Sequence, residues 1–143
     1  MEFNDNNVKH LEFIQSNIAR MNQCSFQMKG WMVTIVSALL ALYASSVDSI
    51  TGEGTNMYIF VAIVPTVIFW VLDSYYLQQE RKFRGVYNDL IDAEERKKIK
   101  LFQMPLDRYN GWKYCLFNVM ISITEGLLYV PVIVGLIVAG VLL

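Results

Sequence analysis

The chain has 143 residues, of which 55% are hydrophobic and 13% aromatic, and its formal net charge is −1. The length suits one domain, the apolar share exceeds the roughly 45–50% of an ordinary soluble domain, and the charge indicates no particular partner. The two cysteines, Cys24 and Cys115, lie far apart in a chain with a single histidine, which excludes the usual zinc sites and disulfide frameworks.

Residues 1–29 are predicted to form a cytoplasmic amphipathic helix. Their acidic, polar start, MEFNDNNVKHLEFIQ, is unlike a cleaved signal peptide. Apolar and small residues follow at alternating three- and four-residue steps, and this seam continues into the apolar segment that comes next. The seam consists of Leu11, Ile14, Ile18, Met21, Ser25, Met28, Met32 and Ile35. It predicts one long helix that packs along a single line against a neighbour.

Two apolar segments separated by a short loop come next. Residues 30–47 contain no charge and approach the roughly 20 residues that cross a bilayer core, so they are predicted to form the first transmembrane helix. Residues 48–56 form a short outer loop, and residues 57–77 the second transmembrane helix. Pro65 falls inside that second helix, where a membrane tolerates the kink it introduces.

The remainder of the chain returns to the membrane. Residues 78–112 are rich in charged helix formers and are predicted to be a cytoplasmic basic helical region. Counting back about 20 residues from the last one places the third transmembrane helix at 123–143. The intervening residues 113–122 are then predicted to form an interfacial helix.

The distribution of basic residues predicts how the chain is oriented in the membrane. Three lie before the first apolar segment, none between the first two segments, and nine between the second and the third. The positive-inside rule then predicts that the N-terminus and the long loop are cytoplasmic and that the C-terminus lies outside. Both cysteines should be free thiols near the reducing face.

Two acidic residues stand within the apolar segments. Asp73 and Glu125 are about 24 Å and about 27 Å from the outer ends of their helices at 1.5 Å per residue, so they share a depth near the inner boundary. One interpretation is a ring of carboxylates at the inner mouth of an oligomeric pore. The other is that each acid pairs with Lys29 or Lys113 and only holds helices together.

Small and polar residues in the segments predict contacts between helices. Thr34, Ser37 and Ala41 share one side of the first segment, and we take Thr34 and Ser37 as further pore candidates. Gly135 and Ala139 form a small-xxx-small pair that would let helix backbones approach closely. Three helices are too few to enclose a water-filled path, so a channel would have to be a homo-oligomer. For any single one of these residues, packing within and between subunits is the favoured interpretation.

Two basic patches, ERKFR and ERKKIK, are the candidate ligand-binding residues. They contain Arg81, Lys82, Arg84, Lys97 and Lys98. Such patches fit anionic lipid headgroups or a nucleic-acid backbone. The positive-inside rule alone also accounts for them.

Enzymatic chemistry has little support in the sequence. His10 is the only histidine, no serine stands in a nucleophile-elbow motif, and no glycine-rich phosphate loop occurs. We therefore expect no enzyme activity, no cofactor and no metal site.

Two blocks resemble a known group of proteins. They are HLEFIQSNIARMNQCSFQMKGWMVTIVSALLAL at 10–42 and FWVLDSYYLQQERKFRGVYNDL at 69–90. Together they resemble small bacterial inner-membrane proteins of anti-phage defence, in particular the transmembrane channel effectors of the Hailong system. The resemblance implies an oligomeric ion channel that short DNA oligomers, made by a nucleotidyltransferase-like partner, hold closed. It also implies abortive infection by membrane depolarisation, and it carries no pore residues across.

The sequence therefore predicts an all-α membrane protein, homo-oligomeric, with three transmembrane helices and with N-terminal and inter-span cytoplasmic helices. The leading hypothesis is an ion channel gated from the cytoplasm by a nucleotide or oligonucleotide. The alternative is a non-conducting membrane anchor or assembly subunit that docks a cytosolic partner. A small transporter is less favoured, since no inverted repeat is visible.

Overall fold

The structure, a computed structural model, describes residues 5–48 and 54–142, and within these ranges it contains helices and no strands. The predicted all-α class is confirmed, and three helices are long and apolar enough to cross a membrane. Part of the predicted outer loop at 48–56 lies outside the described residues. The helices are α1 Asp5–Ser46, α2 Met57–Ile91, α3 Ala93–Arg96, α4 Leu116–Met120 and α5 Ile123–Leu142, with 3₁₀ turns at Leu106–Arg108 and Trp112–Tyr114.

Helix α1 is a single 42-residue helix. At 1.5 Å per residue it is about 63 Å long, far more than a bilayer core of about 30 Å requires. Every residue of the predicted heptad seam is buried or half-buried, and the seam packs mainly against α2. The alternating spacing thus marked the contact line correctly, both inside the apolar segment and beyond it.

Helix α2 runs for 35 residues without a break, although Pro65 lies inside it. The hydroxyl of Thr66 donates to the carbonyl of Ala62 at 2.8 Å, one of the adjustments by which a helix accommodates a proline. The helix continues through Asp73 into the first basic patch and ends where Asp92 adopts an extended conformation. The Asp92 carboxylate accepts hydrogen bonds from the backbone N–H groups of Glu94 and Glu95 and so caps α3. These two hydrogen bonds hold the pKa of Asp92 below its usual value.

Two clusters of buried side chains stabilise the molecule. The span cluster lies between the apolar parts of α1, α2 and α5 and consists of Met32, Val36, Ile59, Ala62, Tyr129 and Leu136. The basic-end cluster lies where α1 and α2 extend past the apolar segments and consists of Ile14, Phe83, Val86, Leu90, Ile99 and Tyr109. We call that end of the protein, which carries the basic residues, the basic end.

The segment between α3 and α4 folds back over the basic end. Its Tyr109 packs against Gly85, where an added Cβ would lie 2.6 Å from the tyrosine ring. The Tyr109 hydroxyl donates to Asp89 Oδ2 at 2.5 Å, and burial together with this carboxylate raises the pKa of Tyr109. His10 anchors the same segment to α1, with its Nε2 3.2 Å from the carbonyl oxygen of Gln103.

The predicted interfacial helix at 113–122 is not one helix. It is divided between the 3₁₀ turn Trp112–Tyr114 and α4, because Cys115 between them has extended backbone angles. Helix α4 packs against α2, and the chain then enters α5 at Ile123.

Candidate functional site

Five side chains from all three long helices meet at the level where the apolar segments join the basic end. We call them the charge cluster: Ser25 and Lys29 from α1, Asp73 from α2, and Glu125 and Tyr129 from α5. Each of α1 and α5 contributes residues four apart, which lie on the same face of a helix one turn from each other. The spacing therefore lets α1 and α5 each present a pair of groups to Asp73 of α2.

Asp73 lies at the centre of the charge cluster and is 0% exposed. Its Oδ2 is 2.5 Å from the Lys29 ammonium and accepts the Tyr129 hydroxyl at 2.8 Å. Its Oδ1 accepts the hydroxyl of Ser25, which itself accepts from Lys29 at 3.1 Å. Three donors from two helices thus replace the water that Asp73 would lose in the membrane.

Glu125 is also 0% exposed but has fewer partners. Its Oε1 is 2.9 Å from the Lys29 ammonium, whereas its buried Oε2 has no hydrogen-bond partner. The residue lies in the first turn of α5, where the positive end of the helix dipole favours an acidic side chain.

The two carboxylates share one ammonium. Since both bind Lys29, the contacting oxygens of Asp73 and Glu125 lie at most about 5.4 Å apart, the sum of the two distances. The side chain of Lys29 is 23% exposed, so the cluster reaches the protein surface only through it. Taking charges out of water costs several kcal/mol per ion, which the mutual attraction must offset.

Aromatic packing closes the site from the α2 side. The ring of Trp70 stacks on that of Tyr129 with a centroid distance of 6.0 Å. Its indole N–H donates to the carbonyl oxygen of Met120 at the end of α4. Trp70 therefore fixes the tyrosine that binds Asp73 and ties it to the helix preceding α5.

The structure brings together the two acids that sequence analysis selected and pairs both with Lys29, one of the two lysines considered. The other, Lys113, lies over the ring of Tyr114. Ser25 and Tyr129 were not among the site residues predicted from the sequence. Two sequence features nevertheless point to them: Ser25 is the polar position of an apolar seam, and Tyr129 follows Glu125 by one helical turn.

The other pore and packing candidates lie elsewhere. Thr34 and Ser37 are exposed on the surface of α1. Gly135 is exposed and has open space around it, and Ala139 packs beside the span cluster. The close approach within the protomer is made by Gly140, where an added Cβ would lie 2.9 Å from the Phe60 ring.

The candidate ligand residues lie on the basic end. Arg81 and Lys82 are half-buried and Lys97 is exposed, while Arg84 forms an ion pair with Glu80 and Lys98 one of 2.5 Å with Glu95. A cleft of about 340 Å³ opens between α1 and α2 beside Arg84. It is lined by Gln15, Ile18, Arg84, Tyr87 and Asn88.

Among the described residues, no group of three or more histidine, cysteine or acidic side chains could hold a metal ion. The fold and the site are those of an α-helical chain compatible with a multi-pass membrane protein. No family model, curated protein or solved structure matches the chain.

Proposed function

We propose that this chain is the subunit of a homo-oligomeric ion channel in a bacterial inner membrane, gated from a cytoplasmic basic end. The observation that carries the proposal is an exposed stripe of small and hydroxyl-bearing residues on α1. The stripe consists of Gly30, Thr34, Ser37, Ala41 and Ser45. Steps of three and four residues keep these positions on one side of the helix, over about 22 Å of its length.

The stripe differs from the exposed surface of α2. The exposed residues of α2 at the same level are branched and apolar, as expected of a surface facing lipid, and include Val61, Val64, Val67, Ile68 and Val71. Helix α1 is also the least apolar of the three candidate spans. Small residues let backbones approach and hydroxyls tolerate water, so this face of α1 suits contact with other subunits around a path.

Oligomerisation follows from the size of the protomer. The span cluster packs side chains of the three long helices against one another, and three helices are too few to enclose a water-filled path. A path must therefore form between copies of the chain, and cyclic assembly would repeat the α1 stripe around it.

The charge cluster supports gating from the basic end. Helices α1 and α2 run uninterrupted from the apolar segments into the basic end, and the cluster joins both to α5 where they leave those segments. A displacement of the basic end therefore acts on the Lys29 contacts. Asp73 and Glu125 face inward in this protomer, so their role at the inner mouth stays a prediction.

The signal that moves the basic end is proposed to be a nucleotide or oligonucleotide. Its support is the basic patch Arg81, Lys82 and Arg84, of which Arg84 lines the α1–α2 cleft, and the resemblance of two segments to defence channel effectors. The same resemblance supports a role in abortive infection and a nucleotidyltransferase-like partner.

Conductance of the purified protein tests the proposal. Wild-type protein in planar bilayers should give discrete conductance steps, and Thr34→Val with Ser37→Ala should change their amplitude because these hydroxyls line the path. The matched control is Val67→Thr on the apolar face of α2, which should leave the steps unchanged. If no oligomeric form of the correctly folded protein conducted ions, the proposal of a channel would be contradicted.

A non-conducting anchor is the second candidate. Large apolar side chains stand exposed on α1 at the basic end, notably Phe13 and Phe26. We propose that, in this case, these side chains contact the cytosolic partner. Loss of a cytosolic partner on Phe13→Ser and Phe26→Ser, in a protein that never conducts, would favour the anchor.

A further inference from the structure

The charge cluster contains more negative than positive charge. Fully ionised, it would hold one ammonium and two carboxylates, and both acids are 0% exposed. One carboxylate oxygen of Glu125 and one of Asp73 contact the same ammonium, so these two oxygens lie at most about 5.4 Å apart. Two carboxylates this close in a buried site do not both ionise easily, so such pairs commonly hold a proton between them.

The hydrogen bonds distinguish the two acids. Asp73 accepts from Ser25 on Oδ1 and from Lys29 and Tyr129 on Oδ2, so both of its oxygens have donors. Glu125 accepts only from Lys29, and its Oε2 is buried without a partner. An orphaned carboxylate oxygen in a dry site costs free energy that a proton on that oxygen removes.

We infer that the charge cluster is a proton-binding site, in which Glu125 holds one proton on Oε2 and release of that proton loosens the contact between α5 and the other two long helices. The bound form contains the Lys29–Asp73 ion pair and a neutral Glu125. The released form contains two carboxylates on one ammonium, and the repulsion between them acts across α2 and α5.

Within residues 5–48 and 54–142, the charged and titratable groups that act on Glu125 belong to the charge cluster. Helix α1 contributes Lys29, α2 contributes Asp73, and α5 itself contributes Tyr129. Helix α4, which packs against α5, consists of LFNVM and contributes none. The inference rests on these contacts and on the placement of the long helices, and it holds whether or not the protein conducts.

Infrared difference spectroscopy of the full-length protein in detergent tests the inference. At neutral pH the wild type should show the C=O stretch of a protonated carboxylic acid, and Glu125→Gln should remove it. Glu80→Gln is the matched control, because Glu80 is also buried but is paired with Arg84 at the basic end, and it should leave the band in place.

A second variant tests whether Glu125 holds its proton because of the neighbouring carboxylate or because of burial alone. Asp73→Asn leaves Glu125 in place but removes the competing charge, so Glu125 should ionise against Lys29 and the band should disappear. A band that survives either Glu125→Gln or Asp73→Asn, or no band in the wild type, would overturn the inference.

Thermal unfolding provides a second measurement that does not depend on the infrared band. Because the proton is bound in the folded state, the wild type should lose stability as the pH rises from about 5 to about 8. Both Glu125→Gln and Asp73→Asn should lose this pH dependence. Stability that instead follows the concentration of sodium or potassium at fixed pH, and does so only when Glu125 is present, would show that a metal cation occupies the site and would refute the proton.

Discussion

Removal of the Lys29 ammonium should destabilise the protein more than removal of any other lysine. In Lys29→Met the side chain is unbranched and only one atom shorter, but Asp73 is left buried without its ion pair at 2.5 Å. Removing one partner of a buried ion pair costs about 3–5 kcal/mol, because the remaining charge is uncompensated. Since Lys29 is 23% exposed, solvent reduces the loss, and we expect about 3 kcal/mol.

The assay is thermal unfolding of the purified protein in detergent. At about 2–4 °C per kcal/mol for a chain of about 150 residues, the melting temperature should fall by about 10 °C. Lys98→Met is the control, because Lys98 also forms a 2.5 Å ion pair but on an exposed surface, where such pairs contribute less than about 1 kcal/mol.

A double variant tests whether the uncompensated carboxylate is the cause. Lys29→Met combined with Asp73→Asn removes both charges, so it should be more stable than Lys29→Met alone, with a coupling of at least about 1 kcal/mol. Equal stability of Lys29→Met and Lys98→Met, or strict additivity in the double variant, would refute the reasoning.

Three further predictions concern the basic end. Gly85→Ala should cost about 1–3 kcal/mol in unfolding measurements, because the new Cβ would meet the buried Tyr109 ring at 2.6 Å, whereas Gly135→Ala in open space should not destabilise. Tyr109→Phe should cost about 1 kcal/mol through the lost hydrogen bond to Asp89. Since the fold raises the pKa of Tyr109, wild-type stability should decline above about pH 10, where the unfolded tyrosine ionises, and Tyr109→Phe should lack that part of the decline. Charge reversal of the three basic residues in ERKFR should weaken oligonucleotide binding and lower its salt slope in a titration, and unchanged binding would place the ligand elsewhere.

The helices could be read from the sequence because the signals were local. A run of apolar residues of membrane length marks each candidate span, and the alternating seam from Leu11 to Ile35 marks the line along which α1 packs. The break at Cys115 could not be read in this way. Residues 113–122 are mostly apolar and contain no glycine or proline, so nothing local signals the extended backbone that divides them.

The charge cluster could be predicted only in part. Counting residues from the helix ends placed Asp73 and Glu125 at a common depth, but depth alone does not fix the direction in which a side chain points. That direction follows from how α2 and α5 rotate to bury their apolar faces, which depends on contacts far apart in the chain. For the same reason Lys29 and Lys113 were equivalent candidates until α1 was packed against α2.

The position of the charge cluster along the helices determines which contacts a movement of the basic end would change. On the side of the apolar segments, the span cluster holds α1, α2 and α5 together through apolar contacts, which depend little on small changes in distance. On the side of the basic end, α1 and α2 are the two long helices that continue into the basic-end cluster. The cluster therefore joins a part with three long helices to a part with two. Its hydrogen bonds are short and directional, so a small rotation of α1 that leaves the apolar packing intact still breaks the contacts of Lys29 with Asp73 and Glu125. Between two sets of tolerant apolar contacts, this ionic layer is where a movement of the basic end first changes how α5 is held.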